Sequence, residues 1–202
     1  MAVELRDGSL VCIRPIEPDD KGALGRGFDR LSEQSRYQRF LGTMTRLSDK
    51  TLAYLTEVDH HDHEALIALD EAADEPVGVA RYVRAGDSRE SAEAAVAVVD
   101  EWQGRGLGTA LLELLSERAR EEGVSRFTAY VLGSNRTMLE LLRELGPVRV
   151  VDSSAGTLEL VAELADAGRG NELREALRIA ASHSLRVALP GRGAHLEGTP
   201  RG

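Results

Sequence analysis

Residues Val98 to Ala110 constrain the fold more than any other stretch of the chain. They read Val98-Val99-Asp100-Glu101-Trp102-Gln103-Gly104-Arg105-Gly106-Leu107-Gly108-Thr109-Ala110. A short apolar run, Ala92 to Val99, stops at a loop with glycines at 104, 106 and 108. Apolar residues then recur at helical spacing through Leu107, Ala110, Leu111, Leu114, Leu115 and Ala119, until Gly123 supplies a stop. The order is strand, glycine-rich loop, helix. Glycines let a backbone approach a bulky group closely and adopt conformations that other residues resist. The free N–H groups of a helix start, and its dipole, favour an anion there. Arg105 is placed to add a charge-assisted contact. These residues therefore specify a phosphate or pyrophosphate site.

Two familiar phosphate loops are excluded on residues. A dinucleotide fingerprint needs glycine at the sixth place counted from Gly104, and Thr109 stands there. The preceding strand also sits in a meander rather than opening a βαβ unit, and no acidic residue closes the strand at Phe127 to Val131. A Walker A loop needs Gly-Lys-Ser/Thr, which is missing.

The rest of the chain frames this element. Ser9 to Ile16 reads as an edge-capable strand ending at a proline. Pro18-Asp19-Asp20 opens a helical stretch that runs on to Phe40, and Ser48 is an N-cap candidate before Leu52, Leu55 and Val58. Ala65 to Leu69, Pro76 to Arg84 and Ala92 to Val99 read as an antiparallel meander. After the helix from Gly106 to Glu122 come a strand at Arg126 to Leu132 and a helix at Asn135 to Leu145. A hairpin of Val148 to Val151 with Thr157 to Val161 follows. The fold class is α/β of the α+β type: a mixed, largely antiparallel central sheet flanked by helices. Residues 1–166 are expected to form one domain. Residues 167–202 are expected to form a C-terminal helix, with an apolar stripe from Leu173 to Ala180, and a flexible tail rich in Gly, Pro and Arg. The stripe makes a homodimer contact an expectation.

Composition removes several classes of partner. With 25 Lys+Arg against 34 Asp+Glu the net charge is -9, which disfavours nucleic acid and suits a cationic substrate. One cysteine, Cys12, rules out an intrachain disulfide, and in its apolar strand it reads as an inert core thiol. No apolar run approaches the roughly 20 residues that span a bilayer, and Met1 to Arg6 does not resemble a signal peptide. The expected location is cytoplasmic, with no membrane partner.

Gln103-x-x-Gly106-x-Gly108, set between a strand and an amphipathic helix and followed by a strand and Asn135, resembles the signature of the GNAT N-acetyltransferases. The likeness extends over Leu5 to Leu164. It implies acetyl-CoA as co-substrate. Backbone N–H groups of Gly104, Arg105, Gly106, Leu107, Gly108 and Thr109 would hold its pyrophosphate, and Gln103, the first residue of the signature, is a further cofactor-binding candidate. Val96, Ala97 and Val98 would pair with the pantetheine arm, a strand N–H there would polarise the thioester carbonyl, and Asn135 would contact the pantetheine portion. The tyrosine that many members carry seven residues after this asparagine is replaced by Leu142. Tyr130 and Tyr37 are the substitutes to place.

Glu93 is the candidate general base. It stands alone in the apolar strand, with a solvated strand-end carboxylate beside Glu90 as the alternative reading. Arg14-Pro15-Ile16-x-Pro18-x-Asp20, Leu31-Ser32-x-x-Ser35-x-Tyr37-x-Arg39-Phe40 and Val79-Ala80-Arg81-Tyr82-Val83-Arg84 look like the bacterial Pat-type protein-lysine acetyltransferases. The spacing of Glu93, ten residues before Gln103, is similar to that of the glutamate base in those enzymes. That resemblance implies a protein lysine as acceptor. A small-molecule amine N-acetyltransferase and a non-catalytic acyl-CoA-binding regulatory module are the rival readings. His60-His61-Asp62-His63-Glu64 invites a metal, but without a cysteine or a second ligand cluster it reads as a polar loop, with pocket lining as the alternative, and no metal is expected. Trp102 is expected to pack beneath the loop. Tyr37, Arg39 and Phe40 read as packing residues, with the acceptor site as the alternative.

Overall fold

The structure is a computed structural model and describes residues 1–84, 86 and 88–164. The expected C-terminal helix, tail and homodimer contact lie outside the described residues. The strands are β1 (Ala2–Glu4), β2 (Leu10–Pro15), β3 (His63–Asp70), β4 (Glu75–Arg84), β5 (Ser91–Val98), β6 (Arg126–Leu132), β7 (Val148–Ser154) and β8 (Thr157–Glu163). The helices are α1 (Lys21–Asp29), α2 (Glu33–Phe40), α3 (Asp49–Thr56), α4 (Leu107–Glu121) and α5 (Arg136–Leu145). The strands form an eight-stranded sheet in the order β1-β2-β3-β4-β5-β6-β8-β7. β5 and β6 run parallel, joined through α4, and the other neighbours run antiparallel.

The strand expected at Ser9 to Ile16 is not at the edge. β1 pairs with it from outside, Val3 against Val11. β1 has only three residues, too few to show a period.

Each face of the sheet is covered by helices whose apolar stripes match it. On one face α4 buries Leu111, Leu112 and Leu115 completely, against Val77, Ala80 and Phe127. Burying each such leucine contributes about 1.5–3 kcal/mol. Close approach depends on small residues: a Cβ at Gly78 would meet Leu111 Cδ1 at 3.0 Å, and one at Gly108 would meet Leu141 Cδ1 at 3.2 Å. On the other face Leu24 of α1 and Leu55 of α3 pack with Ile16, Ala65 and Ile67, and α2 lies against β5.

Ser32 and Ser48 cap α2 and α3, accepting from the N–H groups of Ser35 (3.2 Å) and Thr51 (3.1 Å). The Arg14…Asp20 motif is a clasp between β2 and the start of α1. The Arg14 guanidinium donates to both Asp20 oxygens, at 2.7 and 2.6 Å, and the Glu17 N–H donates to Asp20 at 2.7 Å. The arginine fork holds the carboxyl below its ordinary range despite burial. Asp20→Ala removes these bonds and is expected to cost about 2–3 kcal/mol, read as a lower urea midpoint with an unchanged slope.

Candidate active site

β5 and β6 begin as a pair and then separate. Their register runs Ser91 to Arg126, Ala92 to Phe127 and Glu93 to Thr128, and stops. Beyond Glu93 the two strands splay, and a slot opens between Ala94–Val98 on one side and Ala129–Val131 on the other, closed at its end by Asn135 and Met138. β5 keeps its other neighbour, pairing with β4 as far as Val98. One edge of β5 is therefore left without a strand. The Val98 carbonyl points into the opening, where it accepts from Gln103 Nε2 at 3.0 Å. Because strand backbone groups alternate sides, the N–H and C=O of Val96 and Ala94 face the same way. The slot continues into a groove with about 590 Å³ of open space, running over the glycine loop and along α5.

The loop presents donors at the mouth of that groove. Gly104 and Gly106 adopt left-handed backbone, with φ of 74° and 93°. Gly106 is the N-cap of α4 and no side chain caps the helix. Its carbonyl accepts from Ala110, so the N–H groups of Leu107, Gly108 and Thr109 precede the first intrahelical bond. A Cβ at Gly106 would meet the Arg6 side chain at 3.2 Å, whereas one at Gly104 meets nothing within 4 Å. Trp102 is buried beneath, as expected.

Two polar residues fasten the loop to α2. Gln103 Nε2 donates to Ser35 Oγ at 3.2 Å as well as to Val98 O. The Asp100 carboxylate accepts from the Ser32 N–H and hydroxyl, at 2.8 and 2.6 Å, and from the Ser35 hydroxyl at 3.0 Å. Burial alone would raise the Asp100 carboxyl, but these donors outweigh it and hold the group below its ordinary range.

The opposite face of β5 carries the titratable groups. Glu93 is exposed there, in register with Val83 of β4 and Thr128 of β6. Its charge reaches Arg39 of α2 and Tyr130 of β6. Tyr130 lines the slot, and the nearby charge of Glu159 raises its phenol. Leu142 is buried in the core and Tyr37 is exposed. Arg81 of β4 is 5% exposed and donates to Leu55 O at 3.0 Å and to His63 Nε2 at 3.1 Å. Tyr54 stacks at a tilt on His63, ring centroids 5.1 Å apart.

The histidine-rich loop is tied into the fold. Asp59 accepts from the backbone N–H groups of His61, Asp62 and His63 at 2.8–2.9 Å. The buried Glu64 carboxylate bonds His60 Nδ1 at 2.7 Å and Arg118 at 3.2 Å, and His61 bonds Glu122, which fastens the loop to α4. Among the described residues no group of three or more His, Cys, Asp and Glu is placed to hold a metal ion. No described helix is long and apolar enough to cross a membrane.

The structure thus has a splayed parallel pair, a free strand edge in the gap and an uncapped glycine-rich helix start at its mouth. The model of the acetyltransferase (GNAT) family matches residues 30–146. This chain belongs to the GNAT acetyltransferase family. It is 35% identical over 148 residues to acetyltransferase Pat of Mycolicibacterium smegmatis, covering 73% of this chain and 44% of that protein. This GNAT chain thus spans less than half the length of that relative. It is 32% identical over 155 residues to acetyltransferase PA5475 of Pseudomonas aeruginosa, covering 76% of this chain and 83% of that one. Among solved structures, the GNAT domain of S. lividans PAT superposes with a TM-score of 0.74 at 34% identity, over 81% of this chain and 96% of that one.

Within this GNAT fold the sequence-derived residues divide. Val96, Val98, Gln103, Gly104, Gly106, Gly108, Thr109 and Asn135 line the groove, and Ala97 lines the slot. Leu107 buries its side chain in the core, leaving only its backbone at the loop. The Arg105 guanidinium turns away: it reaches Asp7 at 3.2 Å and Ser9 at 3.3 Å and lies over the Trp102 ring. Gln103 acts here as a brace. Asn135 Oδ1 caps α5 by accepting from the Met138 N–H at 3.1 Å, which leaves its amide donors for the slot. Cys12 is not a core thiol. It is partly exposed on the outer part of the sheet, with the N-terminal amine 3.9 Å from its sulfur. Sequence reasoning missed Arg6 and Arg136, which line the groove. Arg6 lies about a hundred residues from the loop it meets and carries no local signal.

Burial, aided by the Arg81 charge, pushes His63 down from 6.5 to about 4. Between those values the unfolded chain takes a proton that the folded chain refuses, so stability falls as pH falls through that window. His63→Gln keeps an acceptor for Arg81. It is expected to reduce the loss of urea midpoint between about pH 7 and about pH 5.

Proposed function

We propose that this chain is an N-acyltransferase that moves an acetyl group from acetyl-CoA to a primary amine, with protein lysine side chains as the preferred acceptors. The observation that carries the reading is the free edge of β5 leading to the uncapped start of α4. A pantetheine amide chain lying in the slot would add a strand to that edge, pairing with Val96 and Val98. The pyrophosphate would then meet the N–H groups of Leu107, Gly108 and Thr109, with Arg6 and Arg136 as cations in the same groove. The resemblance of the flanking motifs to Pat-type enzymes supports lysine, and so does the net charge of -9.

The chemistry follows from these positions. The amine nitrogen attacks the thioester carbonyl carbon while Glu93 accepts its proton, directly or through one water. Negative charge on the carbonyl oxygen is met by a β5 N–H at Ala94 or Val96. The carbon–sulfur bond breaks, and Tyr130 supplies a proton to the departing thiolate in place of the residue replaced by Leu142. The amide product and free CoA leave. Glu93 is a base that works from an exposed position, so an incoming lysine meets it without passing through the core.

Glu93→Gln keeps the shape of the site and loses the base. It is expected to bind acetyl-CoA as the wild type does while kcat falls about 10²–10⁴-fold. Gly106→Val forces a branched side chain onto a φ of 93° and against Arg6. It is expected to lose acetyl-CoA binding by about tenfold or more. A Glu93→Gln variant with wild-type turnover on lysine-bearing proteins would remove the base assignment. A wild type that acetylates free amines as fast as folded proteins would move the acceptor class to small molecules.

A further inference from the structure

On the α1–α3 face, behind the slot, lies a small apolar cavity whose walls include Leu24, Phe28, Leu55 and Ile67. The charged residues in its lining are Arg39 and Arg81. Arg39 also lines the slot, and Ala97 of β5 is common to both spaces. Arg81 lies one strand over, in register with Ala95. The cavity and the slot therefore share Arg39 and Ala97 as walls, and Arg81 stands beside the strand on which a thioester would lie.

Two guanidiniums in one apolar cavity are costly, because a buried charge needs a partner. Among the described residues neither arginine has a carboxylate within ion-pair distance. The bonds of Arg81 go to a carbonyl and a histidine nitrogen. Arg39 rests over the Phe40 ring, 5.0 Å from its centroid. The two cations feel each other, with Tyr54 beside both and Glu93 acting on Arg39 through space. Burial and this mutual repulsion push Arg81 down to about 9. The open space of about 50 Å³ is on the order of three or four waters, room for a few heavy atoms and not for a whole acceptor.

We infer that Arg39 and Arg81 form a carboxylate subsite, which recognises a substrate bearing a carboxylate a few atoms from the reacting carbonyl. The inference rests on the acyl-CoA reading above and extends it to the substrate's second functional group. A planar carboxylate between two guanidinium forks would supply the missing counter-charge with charge-assisted bonds. Such a carboxylate has two sources. It is the far end of a dicarboxylic acyl thioester such as succinyl-CoA, or it belongs to an amino-acid acceptor.

The test has a donor arm and an acceptor arm. In the first, succinyl-CoA, pentanoyl-CoA of similar length and acetyl-CoA are titrated calorimetrically into the wild type, Arg39→Gln and Arg81→Gln. A donor carboxylate predicts that succinyl-CoA binds the wild type about tenfold or more tightly than pentanoyl-CoA. That ratio falls to about one in Arg39→Gln. In the second arm, CoA release from acetyl-CoA is followed with free amino acids and with their amides. An acceptor carboxylate predicts a preference of about tenfold or more for the free acids, abolished by the same substitution. The wild-type ratios stand without any variant. If acetyl-CoA binds and neither ratio departs from one, the carboxylate subsite is overturned while the acyl-CoA reading survives. If acetyl-CoA itself is not bound, both fall.

Discussion

The site depends on one break in the sheet. β5 and β6 pair over three residues, Ser91 to Glu93 against Arg126 to Thr128, and then part. An unpaired strand edge inside a protein is normally covered or closed. Here the edge at Ala94–Val98 is held open by what surrounds it: β4 on its other side, α4 beneath and α2 above. Everything proposed about acyl transfer draws on the backbone donors and acceptors this break leaves free.

The second constraint is the anchoring of the glycine loop. A helix start without a side-chain cap has orphan donors that stabilise nothing until an acceptor arrives. The fold holds that start in place with groups that keep clear of it. Gly78 and Gly108 bring α4 close to β4 and α5. Asp100 and Gln103 tie the loop to Ser32 and Ser35 of α2, and Gln103 also ties it to the end of β5. The polar motif residues of α2 thus fasten one wall of the groove to the other. The same packing brings Arg39 of α2 over the strand that carries Glu93.

Much of this was legible in the sequence because it is periodic or glycine-marked. The change from strand to helical period at Gly104–Gly108, the meander before it and the capping serines each have a local cause. β1 was not legible, being three residues long. The direction of Arg105 was not legible either, since its partners Asp7 and Ser9 lie in a distant turn. Cys12 was misjudged because strand composition does not reveal which strands stand near the edge of the sheet. Arg81 stands in an apolar strand where a cation has no local explanation. Its neighbour Arg39 reads as packing until α2 is laid on the sheet.

The central claim is that the splayed edge and the bare helix start hold an acyl-CoA thioester. Calorimetric titration of the whole chain with acetyl-CoA, and separately with NAD as a second pyrophosphate-bearing ligand, tests it most directly. The account predicts micromolar binding of acetyl-CoA and none of NAD, since NAD lacks the amide chain that pairs with β5. Equal binding of the two would reduce the site to a generic phosphate loop, and binding of neither would contradict the account.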